Sequence, residues 1–146
     1  MCWEMSNTTG PYSRFQLKQY IEQTQNDLFA DRQLRLMIEN GNRQVVGIVD
    51  LCSFDPLHNR AEVGIMVDKS CRRQGIGRNA LALLEEHCFR YLGIHQLFAY
   101  IAVENLPSRR LFAACGYKES AVLKEWAHTF GGGYTDVLVV QKLNLS

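Results

Sequence analysis

Twelve residues of the sequence, Val67–Arg78, combine the residue types that bind a diphosphate. They include Gly75 and Gly77, which let a ligand approach the backbone because they carry no Cβ. A helix-like segment follows, and the first amides of a helix have no partner within the helix and can bind an anion. Charge-assisted contacts to phosphate oxygens would come from the basic side chains Lys69, Arg72, Arg73 and Arg78. We therefore expect a diphosphate-binding turn between a strand and a helix.

The composition is typical of a globular protein with one domain. The chain has 146 residues, of which 47% are hydrophobic and 21% are charged, and this length can bury a core of its own. We interpret residues 1–146 as a single domain with an irregular segment at residues 1–12. The formal net charge of +1 gives no general electrostatic case for binding nucleic acid or an anionic membrane. No apolar run approaches the roughly 18 residues of a membrane span, and the first residues do not have the pattern of a signal peptide.

The cysteines favour a reducing compartment. There are five of them, Cys2, Cys52, Cys71, Cys88 and Cys115. Their odd number, and the lack of a C-x-x-C pair or a Cys/His cluster, argue against a disulfide framework and against a zinc site. We therefore expect reduced thiols in a cytoplasmic protein.

The residues before the turn are predicted to form one helix and three strands. The capping pattern S-x-x-Q, followed by apolar residues at three- and four-residue steps, predicts a helix over residues 14–28. Alternating apolar residues predict a strand at residues 34–38, and Asn40-Gly41 is typical of a hairpin turn. Two further apolar runs predict strands at residues 45–52 and 61–67. Together the three strands suggest an antiparallel meander with short loops.

The residues that follow are predicted to form a crossover helix, a strand and a second helix. Residues at helical spacing predict a helix over residues 75–92, and Gly93 is suited to its C-terminal end. The apolar stripe of this helix is predicted to contain Ile76, Ala80, Leu83, Leu84, His87, Cys88 and Tyr91. The strand predicted at residues 96–103 must run parallel to the strand at 61–67, because a single crossover helix joins them. Asn105 is suited to cap a short helix with a proline in its first turn.

The C-terminal residues are predicted to form a hairpin. Residues 117–126 and 134–143 have the pattern of strands and flank Gly131-Gly132-Gly133. The predicted element order is α, β, β, β, α, β, α, β, β. We therefore predict an α/β fold, in the form of an α+β mixed sheet with one central parallel βαβ unit.

Two motifs resemble those of the GCN5-related N-acetyltransferases, the GNAT superfamily. Residues Arg72-Arg73-Gln74-Gly75-Ile76-Gly77 have that superfamily's form R/Q-x-x-G-x-G/A. Asn105-Leu-Pro-Ser108, then Leu111-Phe112, then Cys115-Gly116-Tyr117 resemble its second motif, N-x-x-S/A followed by an aromatic residue and G-F/Y. Both occur in order and at the right spacing, so the resemblance implies a GNAT-like acyl-CoA N-acyltransferase fold.

Three further segments resemble one branch of the superfamily, which holds the spermidine acetyltransferases and the acetyltransferases of ribosomal-protein N-termini. These segments are His58-Asn59-Arg60-Ala61-Glu62, Leu92-Gly93-Ile94-His95 and Gly-Gly-Tyr-Thr-Asp at residues 132–136. Such enzymes begin with a strand and one or two helices, whereas about a dozen residues precede the first predicted helix here. We therefore expect the first strand to be missing, and the exposed sheet edge this would leave favours a homodimer.

The resemblance implies acetyl-CoA as cosubstrate and no metal. The pyrophosphate would be held by the backbone amides of the turn, with Arg72, Arg73 or Arg78 reaching the phosphate oxygens. The implied cofactor-binding residues of the turn are Arg72, Arg73, Gln74, Gly75, Ile76, Gly77 and Arg78.

The resemblance also implies a path for the pantetheine arm. In the family, the strand resembling residues 61–67 splays from the strand resembling 96–103, so the arm would pair with the backbone near Met66 and Val67. One amide there would serve as an oxyanion donor to the thioester. Asn105 and Ser108 would bind the pantetheine or the phosphate end, and Asn105 can act as a helix cap at the same time.

Acetyl transfer to an amine needs a base, because the nucleophile must be neutral. A carboxylate can take the proton, often through water. Glu62 is the candidate, since it interrupts an otherwise apolar strand beside the implied gap. The alternatives for Glu62 are a salt bridge with Arg60 or exposure to solvent, and Asp50 is a second candidate carboxylate.

The leaving thiolate needs a proton. The family usually has a tyrosine where this chain has Phe112, which cannot donate one. Tyr117, Tyr134 or water would have to replace it. We name Tyr117, with Glu62, as a predicted catalytic residue.

The implied acceptor is a primary amine, either a polyamine or other small amine or a protein N-terminus, which attacks the thioester directly. An acidic pocket for a polyamine could come from Glu22, Asp27, Glu39 and Asp50, and an acceptor wall from Trp126, His128 and Tyr134. Nucleic acid and membrane are not expected partners. The alternative is a catalytically silent acyl-CoA-binding or regulatory module, which is suggested by Phe112 and by the short N-terminal segment.

Overall fold

The fold is built on a seven-stranded sheet. The computed structural model describes residues 32–69 and 75–145 and the backbone of residues 15–19. The strands are β1 (Phe15–Gln19), β2 (Leu34–Asn40), β3 (Val45–Asp55), β4 (Arg60–Val67), β5 (Gln96–Ala102), β6 (Lys118–His128) and β7 (Tyr134–Leu143). Their order across the sheet is β1-β2-β3-β4-β5-β7-β6. All neighbours are antiparallel except β4 and β5. The predicted mixed sheet with one central parallel pair is therefore confirmed.

Two helices of the described part of the chain lie on one face of this sheet. Helix α1 (Ile76–Glu86) continues as a short π-helical segment, His87–Tyr91, and helix α2 (Leu106–Ala114) follows β5. The buried core contains side chains from both helices together with Val63 of β4 and Leu97 of β5. We call this the helix face of the sheet.

Strand β1 corrects the prediction made for the N-terminal residues. The helix predicted over residues 14–28 is wrong at Phe15–Gln19, which pair with β2 in an antiparallel ladder. The rest of that prediction, and the irregular segment at residues 1–12, lie outside the described residues. The sheet edge that was expected to lack a first strand is therefore occupied. Phe15 and Leu17 alternate with polar residues, so the local pattern also fits a strand, and the edge of β2 supplies the ladder.

The face that α1 buries is rotated relative to the predicted apolar stripe. The buried residues are Ile76, Ala80, Leu81, Leu84, Glu85 and Cys88. Leu83 and Tyr91, which the spacing assigned to the stripe, are 44% and 70% exposed. Glu85 is thus a carboxylate on a buried helix face, and such a charge is costly unless a partner compensates it.

The partner is Lys142 of β7, which also contacts α2. Its Nζ lies 2.5 Å from Glu85 Oε1 and 2.6 Å from the carbonyl oxygen of Cys115, just after the last residue of α2. Burial raises the pKa of Glu85, although the ammonium group of Lys142 acts in the opposite direction. One cation therefore ties α1, α2 and β7 together.

Asn59 connects two of the segments that resemble the spermidine acetyltransferase branch, residues 58–62 and residues 92–95. Its side-chain amide donates a hydrogen bond of 2.7 Å to the carbonyl of Gly93, and its own carbonyl accepts one of 2.9 Å from the amide of His95. The loop after β3 is ordered by Asp55, whose carboxylate accepts hydrogen bonds from the backbone of Leu57 and His58. The hydrogen bond with the His58 side chain is the main cause that lowers the pKa of Asp55 to about 2. The two segments thus dock one loop onto another.

The cysteines differ in part from the expectation of five reduced thiols. Cys88 and Cys115 are free, but Cys52 is disulfide-bonded, so the expectation is wrong for Cys52. An odd number of cysteines leaves one thiol over and does not prevent a pair among the others. Burial raises the pKa of Cys88 to about 12, which keeps this thiol protonated and unreactive.

The cytoplasmic location stays a prediction. In the part of the chain that the structure describes, no helix is both long and apolar enough to cross a membrane.

The first testable prediction concerns the ion pair of Lys142. We expect Lys142→Met to lower the free energy of unfolding by about 3 kcal/mol at pH 7, because Glu85 is left buried without its cation. The side chain of Lys142 is 29% exposed and that of Glu85 is 8% exposed, which puts the effect at the low end of the range for buried pairs. The deficit should shrink as the pH falls through the raised pKa of Glu85, because the folded variant then binds a proton that the unfolded chain, with an ordinary value of 4.5, does not yet bind.

Urea denaturation at several pH values measures this effect. Lys124→Met is the matched control, since Lys124 pairs with Asp136 at 3.3 Å while its side chain is 79% exposed. This control should change the free energy of unfolding far less, because an exposed ion pair contributes little to stability. Equal losses for the two variants would contradict the assigned role of Lys142.

Candidate active site

Strands β4 and β5 separate after three paired residues. Their parallel ladder joins Arg60 to Gln96, Ala61 to Leu97 and Glu62 to Phe98, and the described ladder has no pair beyond these. Both strands nevertheless continue, β4 to Val67 and β5 to Ala102. On their outer edges β4 stays paired with β3, and β5 stays paired with β7. A gap therefore begins after Glu62 and Phe98 and extends along both strands, as the resemblance implied.

Helix α1 begins beyond the open end of this gap. Its N-cap residue is Gly75, whose φ of 76° lies in the left-handed region that side chains disfavour. The first turn contains the exposed Arg78 and no acidic residue, so a guanidinium group adds to the positive end of the helix dipole. Of the predicted phosphate-binding residues, Gly75, Ile76, Gly77 and Arg78 lie at this helix start. Arg72, Arg73 and Gln74 lie outside the described residues.

The two sequence motifs are adjacent in space. A Cβ added to Gly77 would lie 3.2 Å from Cδ2 of Leu111 and 3.8 Å from Cδ1 of Ile65. The sulfur of Cys115 lies 4.0 Å from the carbonyl oxygen of Arg78. The glycine thus lets α1 start against both α2 and β4, which brings the second motif beside the predicted phosphate-binding turn.

Asn105 acts as the helix cap that the sequence predicted. Its Oδ1 accepts a hydrogen bond of 3.3 Å from the backbone amide of Ser108. Arg109 fixes the same helix start, because its Nη1 donates to the carbonyl of Val103 at 3.0 Å. A contact of Asn105 or Ser108 with a cofactor stays a prediction.

The face of the sheet opposite the helices carries polar and aromatic side chains. Directly paired residues of neighbouring strands point to the same face, and so do residues two positions apart on a strand. Arg35 pairs with Asp50, Asp50 with Gly64, and Glu62 with Phe98. We call the surface formed by Arg35, Asp50, Glu62, Phe98 and Tyr100 the Glu62 face.

The two carboxylates of the Glu62 face have different surroundings. Asp50 is 7% exposed and accepts two hydrogen bonds from Arg35, at 2.8 Å from Nε and 3.0 Å from Nη2. Such a bidentate pair gives Asp50 a structural role. Glu62 is 5% exposed, which excludes the alternative that it faces solvent, and Arg60 pairs with Asp55 at 3.7 Å. Glu62 lies in the last pair before the gap and remains the candidate base.

Neither tyrosine predicted as a proton donor belongs to the Glu62 face. Tyr117 is buried in the helix-face core, with its ring centroid 4.9 Å from that of Phe112. Burial, and then the Glu85 carboxylate, raise the pKa of Tyr117 well above its ordinary value, so its phenol stays protonated. Tyr134 is 64% exposed and packs edge-to-face on His128 in the terminal hairpin.

Tyr100 was missed by the sequence reasoning. It lies on β5 beyond the last pair with β4, and its ring packs edge-to-face on Phe98 with a centroid distance of 5.8 Å. The available signal was the alternation of Phe98 and Tyr100 with the buried residues Leu97, Ala99 and Ile101. That pattern places Phe98 and Tyr100 on one face but does not show where pairing with β4 stops.

The acidic pocket predicted for a polyamine from Glu22, Asp27, Glu39 and Asp50 stays a prediction. Glu22 and Asp27 lie outside the described residues, and Asp50 is compensated by Arg35. The predicted acceptor wall of Trp126, His128 and Tyr134 lies in the exposed terminal hairpin. Within the described ranges, no group of three or more His, Cys, Asp or Glu side chains is placed to hold a metal ion.

The sequence is similar to those of known acetyltransferases. Residues 1–118 match the family described as an acetyltransferase (GNAT) domain. The chain is 27% identical over 128 residues to a spermidine N(1)-acetyltransferase of Vibrio cholerae serotype O1, a match covering 87% of this chain and 72% of that protein. It is 35% identical over 96 residues to an N-acetyltransferase 9-like protein of Nematostella vectensis, which covers 60% of this chain and 48% of that protein.

A solved structure has the same fold. The dodecameric structure of spermidine N-acetyltransferase from Vibrio cholerae in an intermediate state matches with a TM-score of 0.74 and 25% identity, over 80% of this chain and 68% of that chain. The family match covers most of the sequence and contains both motifs, so the predicted fold and the predicted enzyme class, an acetyltransferase, are confirmed. The chain belongs to the GNAT acetyltransferase family.

Proposed function

We propose that the chain transfers the acetyl group of acetyl-CoA to a primary amine by direct attack of the amine on the thioester. The observation that supports this most is the gap between β4 and β5, which has the start of α1 beyond one end and Glu62 at the other. The spermidine acetyltransferase relative favours a polyamine or another small amine as acceptor. A protein N-terminus is the second candidate.

The cofactor-binding residues are proposed from their placement. The amides of Ile76, Gly77 and Arg78 at the start of α1, with the Arg78 guanidinium, would hold the pyrophosphate. Gly75 completes the described part of the proposed set, and Arg72, Arg73 and Gln74, which lie outside the described residues, are proposed from the sequence motif alone. The pantetheine arm would then follow β4 past Val67 and Met66 into the gap, while Asn105 and Ser108 flank it from the start of α2.

Glu62 is proposed as the base. The amine nitrogen forms a bond to the acetyl carbon, and the proton that this nitrogen loses passes to Glu62, directly or through one water. A backbone amide of β4 in the gap would stabilise the oxyanion. The carbon–sulfur bond then breaks, and the sulfur leaves as a thiolate that takes up one proton.

The experiment that tests the function measures free thiol released from acetyl-CoA with a panel of amines. Spermidine, a short-chain primary amine and a peptide with a free N-terminus are compared, and we expect release with spermidine or the small amine. Binding of CoA in calorimetry without turnover on any amine would instead support the silent acyl-CoA-binding module. Failure to bind CoA would contradict both functions.

We predict that Arg78→Ala weakens CoA binding by about tenfold or more, because a hydrogen-bonded charge contact to phosphate is lost. Isothermal calorimetry measures the dissociation constant, and the difference should shrink at high salt. Arg90→Ala is the matched control, since Arg90 is exposed near the other end of the same helical segment and pairs with Glu86. An equal effect of both substitutions would remove Arg78 from the proposed phosphate site.

We predict that Glu62→Gln lowers kcat by about 10²-fold or more, because the amide cannot accept the proton. The KM for acetyl-CoA should change little. The exposed Glu86→Gln serves as the control for loss of a carboxylate elsewhere. Unchanged kcat in Glu62→Gln would overturn its role as base.

A homo-oligomer is proposed for the assembly. Strand β6 lies at the edge of the sheet, and most of its side chains are exposed. The related spermidine N-acetyltransferase of Vibrio cholerae has a dodecameric structure. Light scattering on the purified protein gives its mass in solution, and a monomer at all concentrations would contradict this proposal.

A further inference from the structure

In the proposed reaction, the thiolate that leaves acetyl-CoA needs a proton donor, and none has been assigned so far. The inference below therefore rests on the proposed function. Phe112 has no hydroxyl group and is buried in the helix-face core. Tyr117 lies in the same core, Tyr134 lies in the exposed hairpin, and Tyr91 is 70% exposed just after α1. Among the tyrosines that the structure describes, Tyr100 is the one on a strand that borders the gap.

The position of Tyr100 follows from the ladder of β5. Phe98 is the last residue paired with β4, and Tyr100 is the second residue beyond it, where β4 and β5 have separated. Leu97, Ala99 and Ile101 are buried in the helix-face core, so Tyr100 points to the opposite face. That is the face of Glu62, since Glu62 and Phe98 are a directly paired couple.

The side chains that lie beside the Tyr100 ring are apolar. Tyr100 is half-buried, and it packs on Phe98 with ring planes at 87°. Its directly paired neighbour on β7 is Val139, which has an apolar side chain. Phe98 and Val139 can hold the ring in place, but neither can bind the hydroxyl group through its side chain.

We infer that Tyr100 donates a hydrogen bond, and then its proton, to the sulfur that leaves acetyl-CoA in the gap. The nitrogen–carbon bond forms and the carbon–sulfur bond breaks. The proton of the amine goes to Glu62 and the phenolic proton of Tyr100 goes to sulfur, which leaves as a thiol. Glu62 then releases its proton to water and the phenolate regains one from water, so no further reactant is needed. Glu62 and Tyr100 thus divide the two proton transfers between the two strands that border the gap.

The competing explanation is that Tyr100 only forms an aromatic wall with Phe98. Tyr100→Phe distinguishes the role of proton donor from that of aromatic wall, because it keeps the ring and removes the hydroxyl group. Phe98→Leu is the matched control on the same strand and face, since it changes the wall and leaves the hydroxyl group in place.

The first measurement uses CoA itself and needs no acceptor. The thiolate of bound CoA absorbs in the ultraviolet, and a pH titration, after subtraction of the protein without CoA, gives the pKa of the bound thiol. A hydrogen-bond donor stabilises the thiolate, so Tyr100→Phe should raise this pKa by up to about one unit. Phe98→Leu should leave it near the wild-type value. Tyr100→His, which restores a donor, should return it toward wild type.

The second measurement is turnover with spermidine. Tyr100→Phe should lower kcat about tenfold or more without changing the KM for acetyl-CoA. If both the bound-thiol pKa and kcat of Tyr100→Phe equal those of the wild type, Tyr100 is not the donor. If Phe98→Leu shifts the thiol pKa as much as Tyr100→Phe does, the wall explanation holds instead.

These outcomes differ from failure of the proposed function. A wild-type protein that binds CoA but releases no thiol with any amine would refute the acetyltransferase reaction. The titration of bound CoA would still decide whether Tyr100 contacts the sulfur.

Discussion

The separation of β4 from β5 is the constraint on which the candidate site depends. Each of the two strands is paired with an outer neighbour along most of its length, but they pair with each other only at three positions of the described ladder. Gly47 of β3 lies opposite the second half of β4, where a Cβ would lie 2.5 Å from the carbonyl oxygen of Met66. The absence of a side chain lets the second half of β4 lie close to β3. The resulting gap lies between two strands that are each held in place by an outer neighbour.

The two faces of the sheet have different roles. The helix face holds the hydrophobic core and the Glu85–Lys142 pair, which anchors the C-terminal end of α1. The opposite face carries Glu62, together with the aromatic pair of Phe98 and Tyr100. A cofactor bound at the start of α1 and an amine bound beside Glu62 would meet in the gap. This arrangement would keep a highly charged cofactor and a cationic acceptor in separate places until the reacting atoms are in contact.

The sequence predicted the elements that depend on local patterns and not those that depend on distant partners. Most strands, both helices and the cap at Asn105 follow from periodicity and turn chemistry, which act over a few residues. Residues 15–19 were predicted as helix because a short apolar pattern fits two periods, and the ladder with β2 decides between them. The Glu85–Lys142 pair joins residues 57 positions apart, and alternation along β5 cannot show where its pairing with β4 stops. The site was therefore predictable as a list of motifs, but its Tyr100 was not.

The three pairs between β4 and β5 also have a mechanical consequence. They divide the sheet into two half-sheets, β1 to β4 and β5 to β7, that share one short backbone hinge. The hydrophobic contacts of α1 and α2 bridge the two halves on one side. A ligand whose arm forms hydrogen bonds with both halves would act as a strut between them, and its binding free energy would add to the stability of the fold by mass action. In this protein, a higher occupancy of the cofactor site would then be accompanied by a more rigid sheet.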